Sequence, residues 1–183
     1  MSLTKTPICN FGEKIKDFSL VSTDNKKLNL SDLKGSKGTL IMFICNHCPY
    51  VQAIIKEAVK IANEIKKIGI HTVAIMSNDV ENYPEDSFEN MKLFSKKYNF
   101  TFPYLIDETQ DVAKSFGAVC TPDFFGYNKN GELQYRRRIR KLNNLTPVMD
   151  GESELLSAMK LIADQGQGPK EQVSSMGCNI KWK

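Results

Sequence analysis

Apolar and polar positions follow three rhythms along this chain. Near the N-terminus, D-F-S-L-V-S (17–22) and K-L-N-L (27–30) flank the polar turn T-D-N-K-K, which predicts two short strands in a hairpin-like start. A polar connector, S-D-L-K-G-S-K-G, has room for one helical turn. The pattern then becomes continuous. T-L-I-M-F-I (39–44) and I-H-T-V-A-I-M-S (70–77) are runs of the kind that form strands buried on both faces. Between them Val51, Ile54 or Ile55, Ala58, Ile61, Ile65 and Ile68 recur at helical spacing, with lysines and glutamates in between, and predict an amphipathic helix from Pro49 to Ile68. Pro49 suits a first helical turn and Gly69 a C-cap.

The acidic N-D-V-E-N-Y-P-E-D leads to a helix over Ser87 to Tyr98, and F-P-Y-L-I-D is a strand. T-Q-D-V-A-K-S-F-G is a short helix ending at Gly117. P-D-F-F-G-Y-N and E-L-Q-Y-R-R-R-I flank K-N-G, a hairpin with an N-G turn. G-E-S-E-L-L-S-A-M-K-L-I-A-D is the last helix. The sum is an α/β fold with a mixed central sheet and helices on both faces. One domain over residues 1–165 is expected, with a polar tail, 166–183, docked on it. No G-x-G-x-x-G follows the first strand, so a dinucleotide fold is excluded.

Composition changes this picture little. The chain has 183 residues, 41% hydrophobic and 25% charged, with net charge +4. That charge is too small and too spread out to imply nucleic acid. No apolar run is long enough for a membrane span, and M-S-L-T-K-T-P-I-C-N-F-G lacks an apolar core of signal-peptide length. Five cysteines, at 9, 45, 48, 120 and 178, are odd in number and widely spaced. This argues for a reducing compartment with specialised thiols, and the expected location is cytoplasmic. The alternative is export, with a signal peptide removed ahead of Ser2-Leu3.

The chemistry concentrates in C-N-H-C-P, residues 45–49. Only a thiolate is a good nucleophile, and the end of a buried strand facing a helix N-terminus lowers a thiol pKa. His47 between the two sulfurs can add charge or a hydrogen bond. The i, i+3 spacing brings both sulfurs to one side of the first helical turn. Cys45 is therefore expected to attack, and the less exposed Cys48 to resolve the mixed disulfide. Metal binding is the competing reading: Cys45, His47 and Cys48 supply at most three soft ligands, which points to Cu(I) or Zn(II). No cofactor is expected.

Strand, C-x-x-C, amphipathic helix and a later Thr-Pro before a hairpin resemble a thioredoxin fold. The longer gap to Pro122, holding an inserted strand and helix, resembles the redoxin layout of the alkyl hydroperoxide reductase/thiol-specific antioxidant superfamily. F-I-C-N-H-C-P-Y-V, C-T-P-D-F-F and S-M-G-C-N-I-K-W-K look like its peroxiredoxin-like group. The resemblance implies a cis Pro122 packed against the cysteines. Thr121 and Pro122 would form a substrate groove whose backbone edge pairs with an extended peptide. It also places Cys120 near the site, as a third redox thiol or a small core residue. Cys178 is either a resolving thiol or part of a tail held by Met176, Ile180 and Trp182. The C-x-H-C form resembles protein disulfide isomerase, whose potential is about −180 mV against about −270 mV for thioredoxin.

The peroxidase signature P-x-x-x-[TS]-x-x-C fits neither register. Cys45 and Ile41 take its Thr/Ser and Pro places when counted from Cys48, and Met42 and Gly38 when counted from Cys45. All four arginines, 136, 137, 138 and 140, lie after Pro122, and Y-R-R-R-I-R-K reads as a strand with a solvated positive face. The expected activity is thiol–disulfide oxidoreduction, with an antioxidant role as an option and thiol peroxidase as the alternative. Its partners are a protein or small-molecule disulfide, with peroxide as an option, and a thiol reductant. Neither nucleic acid nor membrane is expected.

Overall fold

The run at 39–44 forms β4 (Gly38–Phe43), buried along its whole length, and β5 (Ile70–Met76) is buried except at His71. The two pair in parallel, from Gly38 opposite Ile70 to Phe43 opposite Ile75. A strand covered on both faces needs apolar side chains at odd and even positions alike, hence the unbroken pattern. The computed structural model describes residues 3–183.

β2 (Ser19–Ser22), β3 (Lys27–Asn29), β6 (Tyr104–Ile106), β8 (Asp123–Asn128) and β9 (Leu133–Tyr135) complete a seven-stranded mixed sheet. Its order is β3-β2-β6-β5-β4-β8-β9. The predicted hairpins are both present, with β2 antiparallel to β3 and β8 antiparallel to β9. On one face α2 (Pro49–Lys66), α3 (Phe88–Lys97) and α5 (Glu154–Gln165) cover Leu40 and Met42. On the other, α1 (Leu30–Leu33), α4 (Asp111–Phe116), Phe18 and Cys9 cover Ile41, Phe43, Val73 and Ile75. Each fully buried side chain of this kind contributes about 1.5–3 kcal/mol of transfer free energy. The layout is thioredoxin-like, with the expected helices on both faces.

Three expectations need correction. Lys67, not Gly69, is the C-cap of α2; Gly69, at φ +86°, makes the reversal into β5. The tail contributes a strand, β12 (Met176–Asn179), antiparallel to both β1 (Leu3–Lys5) and β7 (Cys120–Thr121). It is held by backbone pairing and by buried Cys178 and Ile180, whereas Met176 and Trp182 stay 39% and 42% exposed.

The arginine run is not a solvated strand face either. β9 stops at Tyr135, and Arg136 and Arg140 are buried. Arg136 pairs with Asp123 at 3.0 Å and Arg138 with Glu154 at 2.8 Å. Arg140 Nε spans both oxygens of Glu57, at 2.7 and 2.9 Å. Arg137 also contacts Glu154. The chain between Tyr135 and α5 is irregular apart from a minimal hairpin of β10 (Leu142–Asn143) and β11 (Thr146–Pro147), so these ion pairs anchor it.

Candidate active site

β4 ends at Phe43, and the chain continues through Ile44, whose N–H is bound by Ile75 O, to Cys45. Asn46 and His47 bend the chain, and α2 starts at Pro49 with Cys48 as its N-cap. Cys45 thus lies outside the helix, not on its first turn. Proline at the first helical position lacks the N–H that would have no partner there.

The Thr121–Pro122 peptide is cis and lies against both cysteines. Thr121 Oγ1 is 3.3 Å from Cys45 Sγ, and Thr121 O is 3.2 Å from Cys48 Sγ. Cys178 Sγ is 3.1 Å from Cys48 Sγ. Three sulfurs and one threonine therefore meet at the head of α2. All are buried: Cys48 at 0%, Cys45 at 1%, Thr121 at 3% and Cys178 at 5% exposure. Cys120 does not join them. Its Sγ points to Pro122 O at 3.8 Å, and burial drives its thiol far above the ordinary range. Cys9 packs on the opposite face of the sheet, where burial pushes it up to about 11.

The groove edge expected to receive a substrate peptide is occupied. β12 pairs with β7 so that Cys178 lies opposite Thr121 and Asn179 opposite Cys120. A cavity of about 240 Å³ borders the same loop, with Tyr50, Ile54, Pro122, Phe124 and Met176 in its wall.

The two thiols of the pair share a proton. Cys48 is lowered to about 5, first by a hydrogen bond from Cys45, then by those from Cys178 and the backbone N–H groups of Val51 and Cys178, against its burial. Cys45 is raised, first because its proton serves Cys48, then by burial and the negative charge of Asp86. When protonated, Cys48 donates to Thr121 O. A thiolate there opposes that carbonyl, and the surrounding donors outweigh it. A cysteine at the N-cap is where helix N–H groups converge, so the first turn favours the anion at Cys48 over Cys45.

Asp86 is a residue the sequence reading missed. It sits in the one-turn 3-10 helix Pro84–Asp86 and is fully buried. Oδ1 accepts from Asn46 N at 2.7 Å, and Oδ2 meets His47 Nδ1 at 2.7 Å and accepts from Asn78 Nδ2 at 2.8 Å. His47 also stacks on Tyr83, with the rings 6° from parallel. The acidic loop gave no hint, because nothing local marks which of its four carboxylates turns inward.

Cys45, His47 and Asp86 bring ligand atoms within 4.8 Å of one another. This is not the Cys45–His47–Cys48 set weighed from the sequence. Asp86 already spends both oxygens on Asn46, His47 and Asn78, so an ion would have to displace bonds that hold the loop. The donor set fits a hydrogen-bonded acid–imidazole pair better than a cation site.

Among solved structures, the chain is similar to an uncharacterized conserved protein from Geobacillus kaustophilus. They share 38% identity and a TM-score of 0.94, over 100% of this chain and 97% of that one. Among curated proteins it is similar to the thiol-disulfide oxidoreductase ResA of Halalkalibacterium halodurans, 25% identical over 67% of this chain. That match spans 65% of the relative's length, just under two thirds. It is also 27% identical, over 66% of this chain and 74% of the relative, to a Coxiella burnetii protein provisionally named the peroxiredoxin bcp. The AhpC/TSA family model matches residues 11–136, which take in the C-x-x-C, Asp86, the Thr-Pro loop and all seven strands of the central sheet. With more than half of its length matched, the chain belongs to the AhpC/TSA family.

Proposed function

We propose that this protein is a thiol–disulfide oxidoreductase working through a Cys45–Cys48 couple. The observation that carries the reading is the placement of both Cys45 Sγ and Cys48 Sγ against the cis Thr121–Pro122 loop at the head of α2. The likeness to a thiol-disulfide oxidoreductase, ResA, supports it.

The roles follow access: Cys48, at 0% exposure, lies behind Thr121 O and Cys178, and Cys45 is the outer thiol of the pair. Cys45 loses its proton and attacks one sulfur of a substrate disulfide, whose other sulfur leaves as a thiolate and takes a proton. Cys48 then gives up its proton and attacks Cys45 Sγ, releasing the second substrate thiol. The protein keeps a Cys45–Cys48 disulfide, and an external thiol reductant returns it to the dithiol. The His47–Asp86 pair, with ligand atoms within 4.8 Å of Cys45 Sγ, is close enough to take the Cys45 proton through one water. A thiolate stabilised at this pair favours the reduced form of the couple. A reducing, cytoplasmic setting would keep it as the dithiol.

A glutathione redox titration with alkylation and peptide mapping tests this reading. A Cys45–Cys48 disulfide formed in one two-electron step supports it, and no such disulfide in oxidising buffer removes it. Peroxide reduction is a second reading, favoured by the same helix-capping thiolate. Against it, the buried Arg136 is engaged by Asp123 and Gly117 O and cannot stabilise a leaving oxygen at Cys48. Stopped-flow oxidation of Cys48 by hydrogen peroxide no faster than that of free cysteine would end it.

A further inference from the structure

The strand that covers the site places a sulfur where a bound disulfide would place one. β12 runs antiparallel to β7 beside the cis Pro122, with Cys178 opposite Thr121. Extended peptides bind sheet edges in this way, through main-chain pairing. Here the peptide is the chain's own, and its sulfur stops 3.1 Å from Cys48. A disulfide bond is about 2.05 Å long, so roughly 1 Å separates this contact from a covalent link.

The approach is built into the backbone. A Cβ at Gly177 would lie 2.1 Å from Thr121 O and 2.7 Å from its carbonyl carbon, so only glycine lets β12 come this near. The strand is also held beyond Cys178. Lys181 N donates to Asn78 Oδ1 at 2.9 Å, and Gln110 Nε2 donates to Lys181 O at 2.8 Å. A cysteine serving only to fill space would need no sulfur partner, and Cys9 and Cys120 show that pattern. The family match ends at residue 136, so this strand lies outside it.

We propose that Cys178 is a third catalytic thiol, which exchanges with the Cys45–Cys48 disulfide to form a Cys48–Cys178 disulfide and receives electrons from the external thiol reductant. The inference rests on the thiol–disulfide reading above. In the exchange, Cys178 gives up its proton and its thiolate attacks Cys48 Sγ. The Cys45–Cys48 bond breaks, and Cys45 leaves as a thiolate and takes up a proton. No electrons are gained or lost by the protein.

A thiolate of the reductant then attacks Cys178 Sγ, on the least buried of the three cysteines, 5% exposed. Cys48 leaves as the thiolate its surroundings favour, and a low-pKa leaving thiol departs faster. A second thiol of the reductant frees Cys178. Cys178 itself, pushed up to about 12 by burial and then by its contact with Cys48, acidifies once Cys48 is bonded and uncharged.

The test is the glutathione titration repeated on Cys45→Ser and Cys178→Ser, with Cys45→Ala as a second background and circular dichroism to confirm folding. In Cys45→Ser the linked Cys48–Cys178 peptide should exceed the Cys48–glutathione adduct by roughly tenfold or more, since sulfurs held in contact react at a high effective molarity. Cys178→Ser should still form Cys45–Cys48, but its reduction by dithiothreitol should slow by on the order of tenfold, the rate of a site deprived of its best-placed sulfur. A Cys48–glutathione adduct with Cys178 still alkylatable in both Cys45 variants overturns the proposal. So does reduction of Cys178→Ser at the wild-type rate. Failure of the functional reading shows separately, as Cys178→Ser protein, in which no exchange can occur, that forms no Cys45–Cys48 disulfide.

Discussion

Asp86 binds the site at two points, taking the Asn46 N–H on Oδ1 and meeting His47 Nδ1 on Oδ2, each at 2.7 Å. One fully buried carboxylate thereby fixes both residues between the two cysteines. Its charge also counts among the causes that hold Cys45 up, after the Cys48 hydrogen bond and burial. Asp86→Asn keeps the shape and removes the charge. Cys45 should become more acidic, seen as a downward shift in the pH profile of its alkylation. Stability should fall by about 1–3 kcal/mol, because a neutral amide accepts weaker hydrogen bonds from the loop than a carboxylate does. An unmoved Cys45 profile would show that the carboxylate serves the loop alone.

Cys48 gives the reduced protein a characteristic acid limb. Its folded pKa is depressed to about 5 from 9.0, so between those values the unfolded chain binds the proton that the folded one has released. This thiol therefore adds stability as pH rises across the window and loses it as pH falls through 5; below about 6 its effect is opposed by the raised Asp123. The raised Cys45 and Cys178 act only above 9 and leave the window clear. Thiolate absorbance of the reduced protein should titrate near pH 5, and Cys48→Ser should remove the band and, above about pH 6, the slope of denaturant midpoint against pH.

The Asp123–Arg136 pair carries the opposite sign. Burial raises Asp123 to about 6 despite the guanidinium 3.0 Å away. For a carboxyl raised in this way, the stabilising contribution is complete below the unfolded pKa and fades as pH climbs through 6. Arg136 also donates to Gly117 O and lies over the Phe125 ring. Arg136→Met should cost about 3–5 kcal/mol at neutral pH by stranding a buried carboxylate, and less in mild acid. Equal losses at both pH values would mean that packing of the guanidinium, not its charge, matters.

Gly177→Ala should loosen the cover over the thiols. All three of its close neighbours are backbone atoms of Thr121 and Pro122, so neither partner can turn a side chain aside. The expected result is faster alkylation of Cys48 and Cys178, by about tenfold, through a lower cost of local opening. Cys9, on the far face, should keep its wild-type rate and serves as the internal control.

What could be read from the sequence was what short-range physics encodes. Unbroken apolar runs marked β4 and β5, helical spacing marked α2, and Asn130-Gly131 marked the hairpin turn. The cysteine pair and Thr121-Pro122 were visible as motifs. Asp86 was not, since its importance lies in contacts with Asn46 and His47, 40 and 39 residues away. The place of the cap was also missed: the helix starts past His47 and makes Cys48, not Cys45, the cap residue. β12 escaped because M-G-C-N has no alternation to betray a strand; it is defined by the two edges it joins.

The position of β12 in the chain also sets an order on biosynthesis. The seven-stranded sheet has all its residues by Tyr135, whereas the strand covering the thiols begins at Met176. Synthesis runs from the N-terminus, so the residues of the sheet emerge before the strand that covers it. A nascent chain would then pass through a stage in which the sheet and α2 have formed while Cys45 and Cys48 still face the surrounding thiol pool. Glutathione bound to Cys48 at that moment would lie where Cys178 belongs, and its removal would become a step of maturation.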